Sequence, residues 1–269
     1  MNYAPSLRFL FRPTHPFDHQ QYKLIYHCGF ADNVSYNSSL PPLFPLPDSQ
    51  REQQEWEADL RLHGEALAAT FLREAPRYQI VEVFTHAYTD TDHPEQLGLF
   101  FEGDSVPQRQ GFIVNAATLQ SMELRARLCL LIGCGTGTGK YLPGEGVQSL
   151  AQRFAYIGSD NVVSTLWATN QDPARRFLDV YNATLAVNPY PGSALQRSKI
   201  QLLDDAGTAN REKHPSQWAS FIMMGAGEPL ASLASPPSSY SWLWWCGVAL
   251  LLCTCIVVFR VRKQRLYLR

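Results

Sequence analysis

Cys134 stands where a thiol can be put to chemical use. The run Leu128-Cys129-Leu130-Leu131-Ile132 delivers Gly133-Cys134-Gly135-Thr136-Gly137-Thr138-Gly139-Lys140, an apolar, strand-like segment that ends in a glycine-rich turn. A second run, Ile80-Val81-Glu82-Val83-Phe84-Thr85, ends the same way at His86. In an open parallel sheet the carboxyl ends of the strands form the ligand crevice, so two such runs lying side by side bring a thiol and an imidazole together. A nucleophilic thiol needs a base or a neighbour that lowers its pKa, and a cysteine where a strand turns toward a helix meets backbone N–H groups that favour the thiolate. The same N–H groups can hold the oxyanion of a tetrahedral intermediate. The implied chemistry is attack on a carbonyl, as in a cysteine peptidase. By residue type alone a lone cysteine after a strand is more often structural, and His86 fits a hydrogen-bonded core position equally well. The repetition of strand end followed by a reactive side chain is what favours a site.

Other chemistries fit less well. Cys134 to Lys140 is spaced like a phosphate-binding loop, G-x-x-x-x-G-K-[ST], but Cys134 replaces the first Gly and Tyr141 stands where Ser or Thr would bind magnesium. The other histidines, His15, His19, His27, His63, His93 and His214, show no ligand spacing with cysteines or carboxylates, so no metal and no cofactor is expected. With no C-x-x-C pair, neither a zinc site nor a disulfide framework is suggested. The net charge is −1 with no basic stripe ahead of the C-terminus, which argues against nucleic acid.

At 269 residues, 45% hydrophobic and 17% charged, the chain can bury one substantial core. Residues 1–20, rich in Pro, His and Phe, read as irregular. Strands are predicted at Lys23–His27, Ile80–Thr85, Leu128–Ile132, Asn161–Leu166 and Ala219–Met224, with a shorter apolar run at Leu97–Phe101. A helix capped by Asp48 or Ser49 is expected to run to about Leu60, and another from Gly64 to Glu74, stopped before Pro76. A further helix is expected to begin at Ala116–Ser121. Val147, Leu150, Ala151, Phe154 and Ile157 recur at helical spacing before Gly158. Asp172-Pro173 reads as an N-cap and first helical residue opening a helix to about Val187, followed by another near Ser193–Asp205. The alternation implies an α/β sandwich with a mostly parallel sheet and helices on both faces.

The tail differs in composition. No charged residue occurs from Pro229 to Phe259, and Trp242–Phe259 is long enough to cross roughly 30 Å of hydrocarbon as one helix, with Trp242, Trp244 and Trp245 suited to an interfacial belt. Residues 229–240 read as a Pro/Ser-rich linker, 241–259 as the span and 260–269 as a basic tail. Arg260, Arg262, Lys263, Arg265 and Arg269 would put that end in the cytoplasm, yet no secretory h-region precedes the domain. A single-pass protein of the plasma (inner) membrane is expected, with the side of the domain left open.

The motifs in their order resemble the CHAT domain, a caspase-like peptidase domain of the caspase–separase clan. Its A-T-H-G and S-A-C-x-T-G strand ends correspond to Phe84-Thr85-His86-Ala87 and Ile132-Gly133-Cys134-Gly135-Thr136-Gly137. Its Y-x-P-S-L element is similar to Tyr3-Ala4-Pro5-Ser6-Leu7, its proline-rich lead-in to Val34–Asn37 through Pro47, and its L-x-G-E-x-A turn to Leu62–Ala66. Gly144-Glu145-Gly146-Val147 with Leu150–Phe154 resembles the G-E-G-V helix, Val163–Trp167 the S-L-W strand end, and Trp218–Phe221 the W-x-x-F strand. The resemblance covers residues 1–228 and implies a caspase-like three-layer α/β/α sandwich.

It also implies roles: Cys134 as nucleophile, His86 as general base, and the N–H groups of Ala87 and Cys134 as oxyanion donors. Ala87 replaces the usual Gly, which matters if that turn needs a left-handed residue. Ile132-Gly133 replaces Ser-Ala and leaves the nucleophile intact. The loop Trp167–Asp172 would line the substrate groove. Ala168 stands where caspases place an Arg for a P1 aspartate, so Asp90, Trp167 and Asp172 become the groove candidates. CHAT domains normally carry structure ahead of the Y-x-P-S-L element, which leaves open an upstream helical-repeat module or a neighbouring-gene partner. The expected function is a membrane-anchored endopeptidase cleaving a protein partner in bacterial signalling or defence. A proteolytically inactive caspase-like scaffold is the alternative.

Overall fold

Runs of buried β-branched and apolar residues build the middle of a seven-stranded sheet. The computed structural model describes residues 2–3, 21–28, 58–62, 65–89, 93, 96–101, 113–144, 146–205, 207 and 210–230. The strands are β1 (Asn2–Tyr3), β2 (Gln21–His27), β3 (Asp59–Arg61), β4 (Tyr78–Phe84), β5 (Ala87–Tyr88), β6 (Gly98–Phe100), β7 (Ile113–Asn115), β8 (Leu128–Ile132), β9 (Gly139–Leu142), β10 (Gly146–Ser149), β11 (Asn161–Thr165) and β12 (Phe221–Gly225). The helices are α1 (Ala68–Glu74), α2 (Ala116–Gln120), α3 (Leu150–Ile157), α4 (Gln171–Val187), α5 (Pro191–Asp204) and α6 (Pro215–Trp218).

The large sheet has the order β1-β12-β11-β8-β4-β2-β3. Strands β3, β2, β4, β8 and β11 run parallel, β12 is antiparallel to β11, and β1 is parallel to β12. Every residue of β8 and β11 is buried; β8 therefore reads as a continuous apolar run rather than an alternating one, while β11 also buries Asn161, Ser164 and Thr165.

Side chains alternate across the sheet, and each face meets helices. On one face Tyr26 of β2 packs edge-on against Phe71 of α1, which also contacts Phe101 and Phe154 of α3. On the other, Phe221 of β12 stacks on Phe177 of α4 with ring centroids 3.6 Å apart. That second face also buries charge. Glu82 of β4 receives Lys23 Nζ and His27 Nε2 of β2, each at 2.8 Å, and Asn182 Nδ2 of α4 at 3.0 Å. Burying a carboxylate is costly unless it is paired and hydrogen-bonded, and here partners from two other elements supply both.

Two smaller sheets flank this one: the hairpin β9–β10 and the three-stranded β5-β6-β7. Neither was expected from the sequence. Val147, expected on a helix, pairs with Tyr141 across the hairpin, where Gly144 and Gly146, both at φ +86°, turn the chain. The helix α3 starts only at Leu150, where Ser149 Oγ accepts the Gln152 N–H at 3.2 Å. The helix expected up to Leu60 gives way at Asp59–Arg61 to the edge strand β3, its Leu60 buried between two half-buried neighbours and its backbone paired with β2; residues 48–57 lie outside the described ones. Asp172 is not the cap of α4, since Asn170 holds that position and Asp172 sits in the first turn, where the helix dipole favours an acid. The last strand begins at Phe221 rather than Ala219 and runs antiparallel.

Among the described residues no helix is long and apolar enough to cross a membrane; Trp242–Phe259 lies outside them. The chain divides into two units, Met1–Leu230 and Ala231–Arg269, and the fold above is the first.

Candidate active site

Strands β4 and β8 are adjacent and parallel, with Phe84 opposite Ile132 as their last partners. The Thr85 N–H continues the ladder to Ile132 O at 3.0 Å. His86 and Cys134 each follow two residues after these partners, so the two chains leave the same edge of neighbouring strands. A Cβ on Gly133 would stand 2.6 Å from Thr85 O and 3.4 Å from the Ala87 Cβ, so only glycine lets the two exits lie this close. Gly135, at φ +65°, then bends the turn back beside Thr89.

His86 is 7% exposed, and Cys134 is partly exposed. Burial raises the thiol pKa above its ordinary value, while a contact with its own backbone N–H lowers it in part. The raised pKa favours the neutral thiol. The β9–β10 hairpin stands between this turn and α3, so Cys134 does not sit at a helix N-terminus; the Ala151 N–H of α3 donates to Thr136 O at 3.0 Å.

On the His86 side, the Phe100 N–H donates to His86 O at 3.0 Å and the Thr85 hydroxyl donates to Phe100 O. That makes His86–Phe100 a hydrogen-bonded pair of the antiparallel ladder, and the next pair, Ala87–Leu99, a non-bonded one. The Ala87 N–H consequently faces away from β6. Ala87 lies in an extended strand, a conformation open to any residue, so the Gly-to-Ala departure carries no left-handed strain.

On the other side the cysteine turn is laced to β11. Thr136 Oγ1 donates to Leu131 O at 2.8 Å and accepts the Thr165 N–H at 3.0 Å; the Gly137 N–H donates to Thr165 O at 2.8 Å. The Thr165 hydroxyl donates to Gly133 O and the Thr138 hydroxyl to Leu166 O. Two residues beyond Thr165, Trp167 is 40% exposed and donates its indole N–H to Ser216 O at 2.7 Å. The chain then enters a cleft of about 460 Å³ lined by Asn170, Asp172, Arg211, Glu212 and Gln217. Gln217 Oε1 is buried there with no hydrogen-bond partner among the described residues.

Of the residues singled out in the sequence, His86, Ala87 and Cys134 thus lie on one edge, Trp167 follows the next strand exit, and Asp172 lines the cleft. Asp90 lies outside the described residues. Glu212, Gln217 and the Thr136–Thr165 pair were not anticipated, because isolated polar residues far apart in sequence carry no spacing signal.

A CHAT domain model matches residues 29–226. The chain belongs to the CHAT domain family. Among curated proteins this CHAT domain is 24% identical over 155 residues to Tetratricopeptide repeat protein 28 of Homo sapiens, and 24% identical over 158 residues to the Mus musculus protein of the same name. In each case 56% of the chain is matched, but only 6% of the relative's length. Among solved structures, gingipain R, described as an Arg specific cysteine proteinase, superposes with a TM-score of 0.51 at 8% identity over 78% of this chain and 47% of the other. The Saccharomyces cerevisiae separase–securin complex matches at TM-score 0.48 and 11% identity, over 81% of this chain and 12% of that one. The CHAT domain fold is mixed α/β with a mostly parallel central sheet, like the cysteine proteinase fold of gingipain R.

Proposed function

We propose that the protein is a caspase-like cysteine endopeptidase in which Cys134 attacks the scissile carbonyl and His86 takes its proton. The observation that carries this is the shared exit of His86 and Cys134 from the edge of two paired parallel strands. In the proposed cycle the Sγ–C bond forms as the thiol proton passes to His86, and the carbonyl oxygen becomes an oxyanion held by the Ala87 and Cys134 N–H groups. Collapse expels the amine, which leaves with the proton from His86, and a thioester remains. Water, deprotonated by His86, adds to the thioester and releases the acid and the thiol. The raised pKa of Cys134 suits this order, in which proton transfer accompanies attack instead of preceding it as a standing ion pair.

Trp167 and the cleft around Asp172 are the proposed substrate side, with a protein or peptide as substrate. A helical-repeat module as partner is supported by the name of the curated relatives. Anchoring by 242–259 in a plasma (inner) membrane rests on that stretch's uncharged sequence, and a bacterial signalling or defence setting rests on the family resemblance. A second reading, a proteolytically silent scaffold, also draws on the curated relatives, which are named for repeats rather than for proteolysis.

The test is cleavage of a proteome-derived peptide library read by mass spectrometry. Cys134→Ala and His86→Ala are expected to lose turnover by about 10²-fold or more while melting like the parent. Equal cleavage by the variants and the parent would defeat the peptidase, and no cleavage by the parent would favour the scaffold.

A further inference from the structure

We infer that the Thr165 hydroxyl sets the direction of the Cys134 N–H, which makes Thr165 a positioning residue for the oxyanion site. The inference rests on the reading of Cys134 as nucleophile and names a part for which the cysteine and histidine alone give no account. Gly133 O and Cys134 N–H are the two ends of one peptide group, which is planar, so fixing one end fixes the other. No cis peptide bond occurs among the described residues, and the N–H therefore points opposite to the carbonyl that Thr165 grips.

Thr165 is a fixed point. Its side chain is buried, its N–H is held by Thr136 Oγ1 at 3.0 Å, and its C=O accepts the Gly137 N–H at 2.8 Å. Thr136 is itself fully buried and anchored to Leu131 O. A β-branched side chain has few rotamers available, so the Thr165 hydroxyl is aimed before any substrate arrives. Gly133 has no side chain with which to set its own peptide plane. Thr165 also lies two residues before Trp167, so a peptide engaging that strand exit bears on the residue that aims the amide.

Two electrophiles separate aiming the amide from holding the turn. A peptide aldehyde adds the thiol across its carbonyl: a C–S bond forms, the C=O π bond opens, and the oxygen takes up the thiol proton, so the adduct needs the oxyanion donors. Iodoacetamide alkylates the same sulfur with loss of iodide and forms no oxyanion. With a panel of acetyl-dipeptide aldehydes differing at P1, Thr165→Val is expected to weaken binding by about tenfold or more, part of the 10²- to 10³-fold typical for a whole oxyanion donor. The iodoacetamide rate at Cys134 should not change, and Thr165→Ser should restore aldehyde affinity. Equal affinity in the parent and Thr165→Val would overturn the inference. So would a parallel loss of both reactions, or a Thr165→Ser variant as weak as Thr165→Val, since either marks packing alone. A parent that alkylates but binds no aldehyde would instead remove the peptidase reading on which the inference stands.

Discussion

Among the described residues Cys28 and Cys129 are buried while Cys134 is partly exposed, and the difference in depth divides their chemistry. Burial pushes the Cys129 thiol up to about 12, whereas Cys134 is raised with a partial offset from its own N–H. The thiolate is the reactive form, so Cys134 is expected to react with iodoacetamide while Cys28 and Cys129 stay unmodified in the folded chain. Its rate should keep climbing above about pH 8.5, where an ordinary thiol levels off. Peptide mapping after alkylation checks both points, and a pH-independent rate from neutral pH upward would contradict a neutral resting thiol.

At the scale of elements, the Glu82 cluster ties β2 and β4 to α4, and β4 is the strand that leads to His86. Lys23, His27 and Asn182 all meet one carboxylate inside the sheet. Removing one member of a buried ion pair leaves its partner's charge uncompensated, typically at about 3–5 kcal/mol. Glu82→Ala is expected to lose that much in urea unfolding. A loss no larger than for a surface substitution would mean water already reaches the cluster. The stacked Phe177–Phe221 pair joins α4 to β12, the strand that follows α6, whose Ser216 O accepts the Trp167 indole N–H. Phe177→Ala is expected to cost about 3–5 kcal/mol and to raise KM more than it lowers kcat, because it loosens the groove side and not the Cys134 turn.

The whole molecule carries a pH dependence of definite sign. Burial raises the Tyr26, Tyr181 and Cys129 pKa values, so the folded chain keeps protons that the unfolded chain releases. Their contribution is complete below the ordinary thiol and phenol values and is lost as pH rises from those values toward the raised folded ones. Each retained proton is worth about 1.4 kcal/mol per pH unit above the unfolded pKa. Unfolding free energy should therefore fall from about pH 9 upward, more steeply near pH 10 as the tyrosines join. A flat profile to pH 11 would show that these groups reach solvent. The division at Leu230 makes a separate prediction: deleting residues 231–269 should leave thermal unfolding of the first unit unchanged. If the 242–259 stretch is the proposed anchor, the same deletion should release the chain from membranes in a flotation assay, and retention would place the attachment elsewhere.

An unbroken apolar run made β8 readable, as expected of a strand covered on both faces, and β4 and β11 were readable from shorter apolar stretches although they also bury Glu82, Ser164 and Thr165. The longest helix was readable as well, from Pro173 near its start, and α3 from apolar residues at helical spacing. Elements whose existence depends on a distant partner were not. Leu60 joins a strand only because β2 offers its edge, Val147 lies in a hairpin because two glycines turn the chain, and β12 reverses direction through contacts invisible in its own residues. The site divides in the same way. His86 and Cys134, the proposed pair, stood out as polar residues at the ends of apolar runs, a local signal. That β4 and β8 are neighbours in register, and that Thr165 reaches the peptide before Cys134, follow from backbone pairing across long stretches of chain, where hydrogen bonds between main-chain atoms leave no pattern in the side chains.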